Sequence, residues 1–219
     1  MEDKETSRLE AFSDGVFAVA ITLLVLDIKI PTDNITEPSV LWNDLWGQRG
    51  TLAAFIVSFF FVGIMWINHH RLFTHIRRTN TGLMLLNLVL LFFIVLTPVP
   101  TALLAVHWDL ASPNPAAILY AGTFFLMACC YNLLWRYASY HNRLLGKDAD
   151  MRAVAAISRQ FLFGPVSYLI ALVLAYFNTP TSVIFQFILA FFYALPGSII
   201  PHRHSREQSE DREPTSLTQ

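Results

Sequence analysis

Apolar residues come in six blocks along the chain, set apart by short polar stretches: Arg8 to Ile30, Thr51 to His69, Leu83 to Val106, Ala116 to Trp135, Phe161 to Phe177 and Ser182 to Ile200. Each is close to the ~20 residues a helix needs to cross a bilayer, so the pattern predicts six membrane-spanning helices and an all-α fold. The third block holds Asn87 and is interrupted by Thr97-Pro98 and Pro100. A membrane bundle tolerates such a break when neighbouring groups take the freed carbonyls. Between the first two blocks, Pro38-Ser39 predicts a short helix, and Trp42 and Trp46 lie four residues apart as interface anchors. Residues 1–201 read as one membrane domain, and 202–219 as a polar, disordered tail.

The first block carries the most information. A helix from Arg8 to Ile30 would be roughly 34 Å long. At about 100° per residue, Phe12, Val19, Leu23, Leu26 and Ile30 share one narrow apolar stripe. Asp14, Ala18, Ile21, Val25 and Ile28 share the opposite face. A carboxylate at membrane depth is expensive and calls for a partner or a function. The stripe, with Thr22 beside it, is either ordinary packing surface or the lining of a pore. One such helix cannot enclose a pore; several copies around an axis can.

Charge adds an orientation. With the N-terminus inside, thirteen of the fifteen Lys and Arg residues fall on the inner side of six spans. The positive-inside rule therefore predicts that both termini are cytoplasmic. A formal net charge of −1 gives no footprint for nucleic acid. Adjacent Cys129 and Cys130 sit in an apolar run and read as small buried hydrophobes. The acidic start, MEDKETSR, does not suit a signal peptide, so the first helix is expected to stay in the mature protein.

Arg8-x-x-x-Phe12-Ser13-Asp14, followed by Phe17-Ala18 and Thr22-Leu23-Leu24, resembles the signature of the transmembrane protein 175 family, the lysosomal potassium channel and its bacterial relatives. The likeness to the single-repeat bacterial form extends over roughly residues 5 to 200. It implies a homo-tetrameric, potassium-permeable channel in a bacterial plasma membrane, with no cofactor and no enzymatic activity. It also implies that the first helix lines the ion path, with apolar constrictions at Val19, Leu23 and Leu26 and with Thr22 nearby. The chain has no filter of the Thr-Val-Gly-Tyr-Gly type to replace an ion's water with carbonyls. Narrow apolar rings would instead make ions shed water.

A second group of residues is polar: Arg8, Ser13 and Asp14 near the start of the first helix, and Trp66, Asn68, His69 and His70 near the end of the second. With the N-terminus inside, both lie at one depth. Trp and Asn donate, and neutral His can both donate and accept, so the expectation is a network that fastens these two helices together. The resemblance implies the same role, and it includes Phe12 in the motif. Neither His69-His70 nor His70 with His75 has the spacing of a metal pair on one helix face, and no metal is expected. The rival reading is a secondary transporter or proton-coupled permease using Asp14 with His69 and His70. A membrane-embedded enzyme or metal carrier built on those three residues is a further rival. Asn87, Asn132 and Gln186 are expected to make interhelical hydrogen bonds.

Overall fold

The computed structural model describes residues 2–28, 37–146 and 149–194. Among these, eight α-helices follow one another: α1 (Glu2–Leu23), α2 (Pro38–Gly47), α3 (Arg49–His75), α4 (Thr81–Leu96), α5 (Pro98–Val106), α6 (Pro115–Ser139), α7 (Met151–Phe177) and α8 (Thr179–Ala194). Five stretches are long and apolar enough to cross a membrane: Thr6–Leu26, Arg49–His75, Thr81–Val106, Pro115–Asn142 and Met151–Phe177. Thr179–Tyr193 is a shorter apolar helix at the position of the sixth expected span. The chain is a multi-pass membrane protein. The expected tail at 202–219 and the end of the sixth span lie outside the described residues.

The break in the third span follows from proline chemistry. Pro98 has no N–H for the carbonyl of Ile94, and that carbonyl accepts from the Thr97 N–H instead, at 3.2 Å. The shift frees the carbonyl of Phe93, and the hydroxyl of Thr97 takes it at 3.0 Å. One residue thus repairs both ends of the interruption, so α4 and α5 continue as a single crossing.

Pro165 breaks the ladder of α7 in the same way. The carbonyl four residues earlier, Phe161 O, accepts from Asn132 Nδ2 of α6 at 2.6 Å. Asn132 therefore supplies the donor that proline lacks. Gln186 differs from its expectation. It is buried, but its Nε2 donates within α8 to Ser182 Oγ at 3.2 Å. The contact between helices there is made by Ser182, which donates to Ala171 O of α7 at 2.7 Å.

Two boundaries depart from the sequence pattern. α7 begins at Met151, ten residues before the expected span. Its polar first turns are helical because Asp150 caps Arg152 N–H at 2.8 Å and because Val154 and Ile157 are buried. The first helix is α-helical to Leu23 and then tightens into a 3₁₀ turn, Leu24–Asp27, rather than running on to Ile30. In a 3₁₀ turn residues three apart eclipse.

α1 packs on α3 and α4; α4 packs on α6, and α6 on α7. α8 closes the bundle against α7 and α3. The core between α3, α6 and α8 holds Phe61, with Phe124 at 4.7 Å and Phe187 at 6.2 Å between ring centroids. Polar groups inside it pair with one another, as hydrocarbon requires. Ser58 meets Thr101 at 2.9 Å and Tyr120 at 3.2 Å, joining α3, α5 and α6.

Candidate pore helix and its polar anchor

The side of α1 that meets the bundle carries Ser13, Phe17, Ala20 and Leu24, all buried. Their spacing of four, three and four is one helical stripe. It lies about a quarter turn from the Asp14 face and about a third of a turn from the Val19, Leu23 and Leu26 stripe. Phe12, Val19, Leu23 and Leu26 are exposed, Val19 at 55% and Leu26 at 73%. The face opposite them is not uniformly covered: Asp14 and Ile21 are half-buried, while Ala18 and Val25 are exposed. This corrects the simple opposition of an apolar stripe and a buried acid face. α1 packs against α3 and α4 and leaves a wide arc of its surface without a partner among the described residues.

Thr22 is exposed on this arc, and its hydroxyl donates back to Val19 O at 2.8 Å. The hydroxyl hydrogen is thereby committed, and the oxygen keeps lone pairs free to accept.

At the base of α1 a buried chain of hydrogen bonds crosses three helices. Ser13 Oγ donates to Leu9 O at 2.8 Å and accepts from Asn87 Nδ2 of α4 at 2.9 Å. Asn87 Oδ1 faces His69 Nε2 of α3 at 2.9 Å. Because that oxygen only accepts, Nε2 carries the proton. His69 is held between Phe17, at 5.3 Å between centroids, and Phe73, stacked at 4.4 Å. Its Nδ1 is buried and has no hydrogen-bond partner among the described residues.

A second, more exposed set lies alongside. Trp66 Nε1 donates to Asp14 Oδ1 at 2.8 Å. His70 Nδ1 meets Glu10 Oε1 at 2.8 Å, and His70 stacks on Trp66 at 6.3 Å. Ser13, Asp14, Trp66, His69 and His70 thus come together where α1 meets α3 and α4. Arg8 and Phe12 are exposed and outside the network. Asn68 is buried on the other side of α3, where it lines a small cavity with Tyr131 and Tyr168. A shift of one residue along a helix turns a side chain by ~100°, which separates Asn68 from its neighbour His69.

Two members of the network were not singled out from the sequence as part of it. Asn87 was expected to bond between helices, but not to these residues. The third span starts on the same side as the first, which puts Asn87 at the depth of Ser13, and that was the available signal. Glu10 lies one turn before Asp14 and gave no signal of its own. Among the described residues no group of three or more His, Cys, Asp or Glu side chains is placed to hold a metal ion.

Residues 8–98, which include most of α1 and all of α3 and α4, match the family model described as endosomal/lysosomal potassium channel TMEM175. Over 194 residues the chain is 43% identical to a potassium channel of Chamaesiphon minutus, covering 89% of this chain and 96% of that one. It is 38% identical over 95 residues to the mouse endosomal/lysosomal proton channel TMEM175, across 40% of this chain and 19% of the mouse protein. The fold matches the crystal structure of a lysosomal potassium-selective channel TMEM175 homologue from Chamaesiphon minutus, with a TM-score of 0.77 and 40% identity. That match covers 87% of this chain and 97% of the other. Signature, fold and near end-to-end identity agree: the chain belongs to the TMEM175 family.

Proposed function

We propose that the chain forms a potassium-permeable channel, a homo-tetramer in a bacterial plasma membrane with both termini cytoplasmic, in which the first helix of each copy lines the ion path. The observation that carries the reading is the apolar arc of Val19, Leu23 and Leu26, exposed on a membrane helix that is anchored on another side by buried polar bonds. The 43% identity, over 89% of this chain, with a protein named as a potassium channel supports the choice of ion.

The mechanism follows from size and hydration. Four copies of one side chain at one level make an apolar ring. An ion passing it gives up water without receiving carbonyls in return. Potassium holds its water less tightly than sodium does and loses less. The same ring closes by dewetting when it narrows. Leu23 and Leu26, three residues apart across the junction with the 3₁₀ turn, form adjacent levels. Val19 forms a wider one nearer the cytoplasm, with the Thr22 hydroxyl between them as an acceptor. The polar anchor sets the rotation of α1 and so decides which side chains reach the axis.

Bi-ionic current recording in reconstituted bilayers tests this. Leu23→Ala or Leu26→Ala should raise sodium permeability relative to potassium, with total current kept or increased. Val19→Ala should shift it least, and Ile21→Ala should leave it unchanged. Selectivity that moves with Ile21 and not with Leu23 or Leu26 would overturn the assignment. A reversal potential that follows the pH gradient rather than the potassium gradient would make the permeant ion a proton, as in the name of the mouse relative. Flux without unitary currents would favour a transporter built on Asp14 and the histidines.

A further inference from the structure

The C-terminal end of α6 and the N-terminal part of α7, on the side predicted to be cytoplasmic, line a cleft of about 510 Å³, within the size range of small-molecule sites. Its floor is Trp135, whose Nε1 donates to Ser158 Oγ at 2.9 Å and so fixes the spacing of the two helices. Its walls carry Arg136 and Arg159, one from each helix, with Ser139 and Tyr140 beside them. Both arginines are exposed, and among the described residues neither has a hydrogen bond or an ion pair. Two guanidiniums facing one cleft, with no ion-pair partner among the described residues, repel each other and favour an anion that joins them. Arginine's planar fork suits phosphate oxygens.

The position of the cleft says where that phosphate comes from. Toward mid-membrane from Arg136 on α6, Leu133 and Leu126 are exposed within about a quarter turn of it; from Arg159 on α7, Leu162, Val166 and Ile170 are exposed on nearly the same face. Each arginine therefore heads an apolar stripe running toward mid-membrane, and Leu162 itself lines the cleft. A headgroup in the cleft would lay its acyl chains along these stripes. α7 contacts α6 and α8, and it is α3 and α4 that hold α1. The cleft thus lies on the side of the bundle away from α1, facing bilayer if α1 lies on the axis of an assembly.

We propose that this cleft binds the phosphate group of an anionic phospholipid of the inner leaflet, with Arg136 and Arg159 as its charge partners. Basic pockets between membrane helices on the cytoplasmic side are suited to such headgroups. The site is separate from the pore helix, and its test reads binding rather than current.

Native mass spectrometry of the purified full chain, released from nanodiscs of mixed phosphatidylglycerol and phosphatidylcholine, provides that test. Wild-type protein should retain phosphatidylglycerol over phosphatidylcholine. The double variant R136Q/R159Q should retain it about 30-fold more weakly, from about fivefold per arginine near an anionic surface. R136K/R159K, which keeps the charge, should recover most of the binding, so misfolding does not mimic the loss. R49Q, at the other membrane face, should behave as wild type. Equal retention of both lipids, or undiminished phosphatidylglycerol on R136Q/R159Q, overturns the site. Displacement of the lipid by millimolar inorganic phosphate would make the ligand a free phosphate and overturn the lipid assignment.

Discussion

Asn87 has its side-chain amide engaged at both ends, giving a proton to Ser13 and taking one from His69. No other residue in the buried chain bridges two helices in this way. Removing it leaves the His69 N–H without an acceptor and the Ser13 oxygen without its donor, although the Ser13 hydroxyl still donates to Leu9 O. The loss of one buried partner costs roughly 1–3 kcal/mol. Asn87→Ala is expected to destabilise the protein by about that much, read as earlier thermal unfolding in detergent. Asp14→Asn is expected to cost less, since an amide oxygen still accepts from Trp66 Nε1 and the site is half-buried. A larger loss from Asp14→Asn than from Asn87→Ala would mean that the carboxylate charge, not the buried chain, holds α1.

At the scale of elements, proline and its repair are a matched pair. α7 lacks one backbone donor at Pro165, and α6 supplies it through Asn132. Asn132→Leu should leave the carbonyl of Phe161 unpaired and lower stability by about 1–3 kcal/mol. Pro165→Ala restores an N–H to that same carbonyl. The double variant N132L/P165A should therefore be more stable than N132L alone. Double-mutant analysis of thermal unfolding measures this coupling, and strict additivity would show that Asn132 acts through something other than the freed carbonyl. In α4 and α5 the repair is internal, through Thr97. That difference explains why one break needs a neighbouring helix and the other does not.

For the whole molecule, packing order and charge bias fit together. α1 lies against α3 and α4, while α6, α7 and α8 build up the remainder of the bundle. An assembly with α1 at its centre leaves the far helices to the lipid. The basic residues gather on one side of the expected spans, and the positive-inside rule predicts from this that both ends lie inside. Cysteine introduced at Ser112, between α5 and α6, should be labelled by an impermeant reagent from outside cells. Cysteine at Ser205, in the C-terminal stretch, should be labelled after permeabilisation. Labelling of both from the same side would remove one crossing and with it the six-span topology.

Span positions were legible in the sequence because crossing a bilayer is a local demand. About twenty apolar residues in a row satisfy it whatever the neighbours are. The short helix at Pro38, the interruption at Pro98 and the interhelical use of Asn87 and Asn132 are local in the same sense. A proline removes its own donor, and a buried amide must find a partner. The facing of α1 was another matter. Hydrophobicity separates inside from outside in water, but in a membrane lipid and protein are both apolar. The stripe of Val19, Leu23 and Leu26 and the core stripe of Phe17, Ala20 and Leu24 therefore read alike as composition. Only the placement of α3 and α4 decided that the second is buried and the first left open. The same placement brought Glu10 to His70. The packing of α6 on α7 set Asn132 on the carbonyl that Pro165 cannot use. These pairings join residues far apart in the chain, and their geometry comes into being when the helices pack.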